Sequence, residues 1–115
     1  MQLKTKNSKI IVKNVEYCRT IFEQARGLMF RLPIKDKCLI FVFRKESRPH
    51  FHMLFVFFHI DMVFLDSNRK IVDLRSRVRP FRLEIKPRKD CRFVIELPAG
   101  TIRKSRLKVG DRLSF

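Results

Sequence analysis

Two pairs of side chains carry the most evident chemistry in this sequence, and both sit in its most apolar stretch. His50 and His52 are one residue apart. On a strand, that spacing puts two imidazoles on one face about 6.6–7 Å apart, which is a start for a metal site. The H-x-H motif of cupin metal sites also needs a Glu four or five residues on and a later His. Val56 and Phe57 occupy those places, so a core or rim role fits the histidines better than metal. His59 and Asp61 form a second same-face pair, in which Asp61 would orient His59 as a general base. No Ser or Cys nucleophile is identifiable beside them, and satisfying a backbone turn is the more common work of such an Asp. Arg26 and Glu96 pose a third question: a buried Arg–carboxylate pair would be structural, whereas an unpaired Arg in a pocket would bind an anionic ligand. The structural reading is favoured. The sequence has no G-x-G-x-x-G or P-loop pattern, and no cofactor is implied.

The elements that must position these groups follow from the stretch 50–66, HFHMLFVFFHIDMVFLD. It holds no Lys, Arg or Glu, in a chain that is 33% charged. It is shorter than the ~20 apolar residues of a membrane-spanning helix, so no transmembrane segment is expected. Its Phe and Val content favours strands. Two are predicted, over 50–56 and 60–66, with a bend near Phe57–His59 and an Asp66-Ser67-Asn68 turn. Further strands are predicted over Lys9–Val15, Cys38–Phe43, Lys70–Val78, Cys91–Leu97 and Arg112–Phe115. Arg44–Pro49 and the basic segment 80–90 are loops. Thr20-x-x-Glu23 matches a capping box for a helix over 21–26, ended by a left-handed Gly27, with Leu28, Met29 and Phe30 entering the core. Thr101 caps a second helix, about 102–107. The expectation is a mostly β, compact β-sandwich or barrel-like single domain over 1–115, of about seven strands and two short helices, with residues 1–8 frayed. Twelve Phe need a core, and Phe41, Phe43, Phe55, Val63, Phe64, Leu65, Phe93 and Ile95 are assigned to it.

Charge bounds the partners. Lys and Arg total 27 against 11 Asp and Glu, a net +16, far above the magnitude of ~2–8 that suffices for solubility. Ion-pair networks of a hot-living source need both signs, so heat alone does not account for the imbalance. Ten cations lie within residues 69–92: Arg69, Lys70, Arg75, Arg77, Arg79, Arg82, Lys86, Arg88, Lys89 and Arg92. They are a solvated face or a site for a polyanion, which would be gripped through its phosphates. Cys18, Cys38 and Cys91 are odd in number, far apart and without C-x-x-C, which fits buried thiols in a reducing compartment. The basic start, MQLKTKNSKI, has no apolar stretch of signal-peptide length. A cytoplasmic location is expected.

Ordered blocks across residues 15–115 resemble one family. Glu23–Arg31 (EQARGLMFR) resembles its E-x-A-x-GLM-x-R signature, Leu39–Phe43 its LF-x-F strand, and Phe51-His52-Met53 its F-[WH]-M. Ile60–Asp66 resembles LDI-x-FLD, Val94–Gly100 resembles VLE-x-x-AG, and Val109-Gly110-Asp111 resembles the closing VGD. The family is domain of unknown function 192, found in bacteria and archaea. The resemblance implies a compact β-rich fold and supplies no catalytic residues. It marks Arg26, Met29, His52, Met53, Asp61 and Glu96 as pocket or signature candidates. Where the family often reads F-W-M-K-N-T across the central bend, this chain has Leu54-Phe55-Val56 in place of Lys-Asn-Thr, which puts any ligand role of those polar groups in doubt here. The functional expectation is a non-enzymatic binding module for an anionic partner, nucleic acid or an acidic protein surface. The alternative is a small-molecule or metal-dependent enzyme using His50, His52, His59 and Asp61.

Overall fold

Three strands of this protein are largely apolar because the sheet they build is covered on both faces. The computed structural model describes residues 2–20, 23–24, 27–29, 31–53 and 55–115. In chain order the strands are β1 Leu3–Thr5, β2 Ile10–Val12, β3 Asn14–Cys18, β4 Lys37–Ser47, β5 Ile60–Leu65, β6 Ile71–Val78, β7 Cys91–Pro98 and β8 Leu113–Ser114, with a four-residue helix α1, Thr101–Lys104, before β8. A five-stranded sheet has the order β3-β4-β7-β5-β6, and a three-stranded sheet has the order β2-β1-β8. The large sheet is antiparallel except for the β3–β4 pair.

The pleat sends alternate residues to opposite faces, so each inner strand feeds two cores. From β5, Ile60, Met62 and Phe64 enter the first, with Leu39, Phe41, Met53, Val56, Ile85 and Val94. Val63 and Leu65 enter the second, with Leu3, Ile40, Ile95, Leu97, Ile102 and Leu113. The small sheet and α1 cover the second core. Loop residues, from the segments that follow β3, β4 and β6, contribute to the cover of the first. All six residues of β5 are buried as a result.

Several sequence expectations meet corrections. The mostly β, two-layer class is observed, without a closed barrel, but with eight strands and one short helix among the described residues. The predicted strand over 50–56 is a loop in its described residues, and Leu54 lies outside them. It bends back to exchange two 2.8 Å hydrogen bonds between Phe51 and Ile85, and its apolarity comes from lidding a core rather than from joining a sheet. Phe55 is 43% exposed, not buried, and Phe43 and Phe93 are half-buried. Residues 3–5, expected to fray, are the middle strand of the small sheet, with Leu3 fully buried. Lys9–Val15 divides into two strands, and β4 runs on through the expected loop to Ser47. Strand β6 loses its alternation at two register shifts against β5, one beside Arg77, whose φ is +51°.

Other local readings hold. The Glu23 N–H donates to Thr20 Oγ1 at 3.0 Å and the Thr20 N–H to Glu23 Oε1 at 3.1 Å, the reciprocal capping box. Gly27 follows at φ +46°. Residues 21, 22, 25 and 26 of the predicted helix, and Phe30, lie outside the described residues. Thr101 does not cap α1 with its side chain. Its hydroxyl donates to the Pro98 carbonyl, and Gly100 takes the N-cap position.

Phe64 is fully buried between β6 and β7. Phe64→Ala is expected to lower stability by ~3–5 kcal/mol. Phe57→Ala, at a position 60% exposed, should stay within ~0.5 kcal/mol. Denaturant melts of the two variants check both values.

Candidate functional site

Three carboxylates are buried in this protein, Asp61, Asp73 and Glu96, and the first two are committed to structure. Asp61 Oδ1 accepts from the Arg77 N–H at 2.9 Å and Oδ2 from the Ile102 N–H at 2.8 Å. It thereby ties the β6 bulge to the amino end of α1 and supplies the cap that Thr101 does not. Asp73 accepts from the Leu74 and Arg88 N–H groups and from the Arg88 guanidinium, and Arg75 lies at 3.4 Å.

Glu96 differs. It sits on the central strand β7, opposite Leu39 and Met62, and points toward the loop-covered core. Its Oε1 is buried without a hydrogen-bond partner among the described residues. Burial pushes its pKa up to about 8, opposed in part by the Arg31 charge. Above it opens a pocket of about 260 Å³ lined by Phe41, Phe43 and Phe51, by Gln24, Gly27 and Met29, and by His50 and His52 at the mouth. Phe51 packs edge-on against Phe41 and Phe43, at 5.3 and 6.3 Å between ring centroids. A Cβ at Gly27 would lie 3.4 Å from the Phe41 ring and 3.7 Å from Glu96 Oε1, so a residue without one lets the backbone approach the carboxyl.

Arg31, the last residue of the signature block, is not Glu96's partner by hydrogen bond. It forks onto Glu16 of β3 with bonds of 3.1 and 2.8 Å. With Lys37 it holds Glu16 well below the usual carboxylate range, at about 2. Arg26 lies outside the described residues.

The structure therefore separates the histidine and aspartate candidates. His50 and His52 share the pocket mouth, His50 with Nδ1 3.4 Å from Glu84 Oε1. His59 is exposed, while Asp61 is fully buried on backbone donors, so the general-base pair does not form. No three His, Cys, Asp or Glu side chains gather as metal ligands among the described residues. Met29 and Glu96 join the pocket, whereas Met53 is buried in the core beside it. The three cysteines are buried free thiols, and burial pushes each up to about 12.

The basic segment also divides. Arg75 and Arg88 serve Asp73, Arg92 donates to the Phe43 carbonyl, and Arg69 donates to the Phe115 carbonyl while its guanidinium lies over that ring. Arg82 donates to the Glu84 carbonyl. Lys70, Arg77, Arg79, Lys86 and Lys89 are exposed. Beside Arg79 and Arg82 the structure shows a feature that sequence reasoning missed. Phe81 packs edge-on against Phe55 and Phe57 at 6.2 and 5.0 Å, and all three rings are at least 43% exposed. The Phe81 N–H donates to the Met53 carbonyl and the Met53 N–H to the Arg82 carbonyl, which brings the two loops together. The sequence signal was Pro80-Phe81-Arg82, an aromatic residue inside a charged loop.

Asp61→Ala would orphan two backbone donors, and a loss of at least about 3 kcal/mol is expected in denaturant melts. Glu96 predicts a pH dependence. The unfolded state releases its proton near pH 4.5 and the native state near 8, so the native state holds more protons between those values. Stability should fall as pH rises across that window, by a few kcal/mol at most. Glu96→Gln should remove that part of the fall, measured by thermal melts from pH 4 to 9.

The comparisons with known proteins agree with this fold. The sequence profile of the family DUF192, described as "Uncharacterized ACR", matches residues 1–115. A UPF0127 protein of Thermococcus sibiricus is 36% identical over 114 residues, covering 97% of this chain and 71% of its own. A UPF0127 protein of Pyrococcus furiosus is 35% identical over 113 residues, covering 96% and 93%. Among solved structures, a Sinorhizobium meliloti protein described provisionally as a transcription regulator superposes with a TM-score of 0.88 at 26% identity, over 98% of this chain and 89% of its own. A Novosphingobium aromaticivorans protein of unknown function superposes with a TM-score of 0.87 at 21% identity, over 99% and 82%.

Proposed function

This chain belongs to the DUF192 family, and we propose that it is a non-enzymatic binding module for single-stranded nucleic acid. The observation that carries this reading is the trio of exposed rings, Phe55, Phe57 and Phe81, beside Arg79 and Arg82. Bases stack on aromatic faces whatever their identity, at about 1–3 kcal/mol each. Flanking cations neutralise the phosphates between them. Exposed Lys86 and Lys89 and the overall +16 extend the attraction. A duplex-groove mode has less support, because the one helix among the described residues has four residues. The provisional regulator description of the Sinorhizobium meliloti protein is compatible with a nucleic-acid partner. The enzyme reading built on His50, His52, His59 and Asp61 loses its footing with the commitment of Asp61 to backbone.

A fluorescent oligothymidylate titrated across salt tests the proposal. Log affinity should fall linearly with log salt, and Arg79→Ala and Arg82→Ala should each flatten the slope by about 0.7. Phe81→Ala should weaken binding about 5- to 100-fold with the slope unchanged. Absence of binding near 50 mM salt overturns the proposal, as does tighter binding of an acidic polypeptide than of the oligonucleotide.

A further inference from the structure

The pocket above Glu96 is separate from the Phe55–Phe57–Phe81 surface, shares none of those rings, and has a different chemistry. We infer that it is a binding site for a small organic ammonium ion, with the ammonium against the Glu96 carboxyl and its apolar substituents against Phe41, Phe43 and Phe51. The argument proceeds by what each ligand class would leave behind. A purely apolar ligand would fill the aromatic walls and leave Glu96 Oε1 buried without a donor. An anion would hold the carboxyl protonated and be repelled once it ionises, so its affinity would fall as pH rises toward 8. A cation satisfies the carboxyl and also gains from the ring faces, whose quadrupoles attract positive charge within about 6 Å. Phe51 stands edge-on to Phe41 and to Phe43, so the rings lining this small volume turn in different directions, and those that present a face to it would attract an ammonium group. At about 260 Å³ the pocket falls just below the ~300–1,000 Å³ range that serves drug-sized ligands, so the ligand is small.

The protein's net charge of +16 does not oppose this assignment at close range. Among the described residues, the cation whose charge acts on Glu96 is Arg31, and it is forked onto Glu16, which also takes Lys37. The other titratable groups around Glu96 are the Cys18 thiol from β3 and His50 and His52 at the mouth. At neutral pH a bound cation would favour the ionised carboxyl, so binding should expel the Glu96 proton and tighten as pH rises toward 8.

Isothermal titration of the full chain with benzylammonium, which stays protonated from pH 6 to 8 and carries N–H donors for Glu96 Oε1, against benzyl alcohol, its neutral counterpart, tests the inference. Saturable one-to-one binding of the cation is expected, at least tenfold tighter than that of the alcohol and tightening from pH 6 to 8. Glu96→Gln should weaken it tenfold or more and flatten the pH dependence. Chemical-shift changes in the unaltered protein should map to Phe41, Phe43, Phe51 and His52, which keeps the test independent of how the variant folds. Equal affinity for the alcohol, no saturation at millimolar cation, or shifts confined to the Phe57–Phe81 surface overturns the inference. So does a pH slope that survives in a folded Glu96→Gln protein, since it would belong to His50 or His52.

Discussion

The requirement that a five-stranded sheet be covered on both faces governs this molecule. β5, β7 and the first half of β4 carry apolar side chains on either side of the pleat, and leaving one face wet would expose Phe41, Phe64 and Val94 together. The small sheet and α1 solve one face with regular structure. The other face is closed in part by the segments after β4 and β6, which must satisfy their own backbone groups while lying on apolar ground. They do so by pairing with each other, through Phe51 with Ile85 and Met53 with Phe81 and Arg82. The two features that look functional both come from this solution. The pocket is the gap between the Phe51 segment and the sheet, and the exposed rings sit where the two loops meet.

Much of this was legible from local chemistry, and the losses share a cause. The capping box at Thr20 and Glu23 needs only residues three apart. The turn at Asp66 needs only a short acidic side chain, which accepts from the Asn68 and Lys70 N–H groups. Phe93, Ile95 and Leu97 alternate and do share one core. The stretch 50–56 misled because an apolar strand and an apolar lid have the same composition, and only the partner's position tells them apart. β1 was invisible because three residues carry little periodicity, and Leu3 is buried through strands that come from distant parts of the sequence.

For the candidate site, residue type was legible and assembly was not. The sequence sets Glu96 with Arg26, which lies outside the described residues. Nothing in it says that Glu96 Oε1 would lack a donor among the described residues while Arg31 is taken by Glu16. Sequence reasoning assigns Asp61 first to backbone at the bend and second to His59. It does serve backbone, but that of Arg77 and Ile102 in distant elements. A two-residue offset guarantees a shared face only on a continuous strand, and β5 begins at Ile60. Arg75 and Arg88 read as part of a cationic surface because Asp73, the acid they serve, is a single residue in a basic stretch.

Asp61 and Glu96 together bear on why the pocket exists. Both are carboxyls in inner strands of one sheet, on opposite faces. On the face covered by regular structure, Asp61 meets two backbone donors and is fully used. The fold is therefore able to accommodate a buried acid when the acid serves the fold. Glu96 receives no comparable donors among the described residues and pulls against folding whenever it ionises. An apolar residue there would pack against Leu39 and Met62 without that penalty. A group that opposes stability, in the middle strand, lining a pocket with three rings and facing the looser of the two covers, fits the ligand site inferred above.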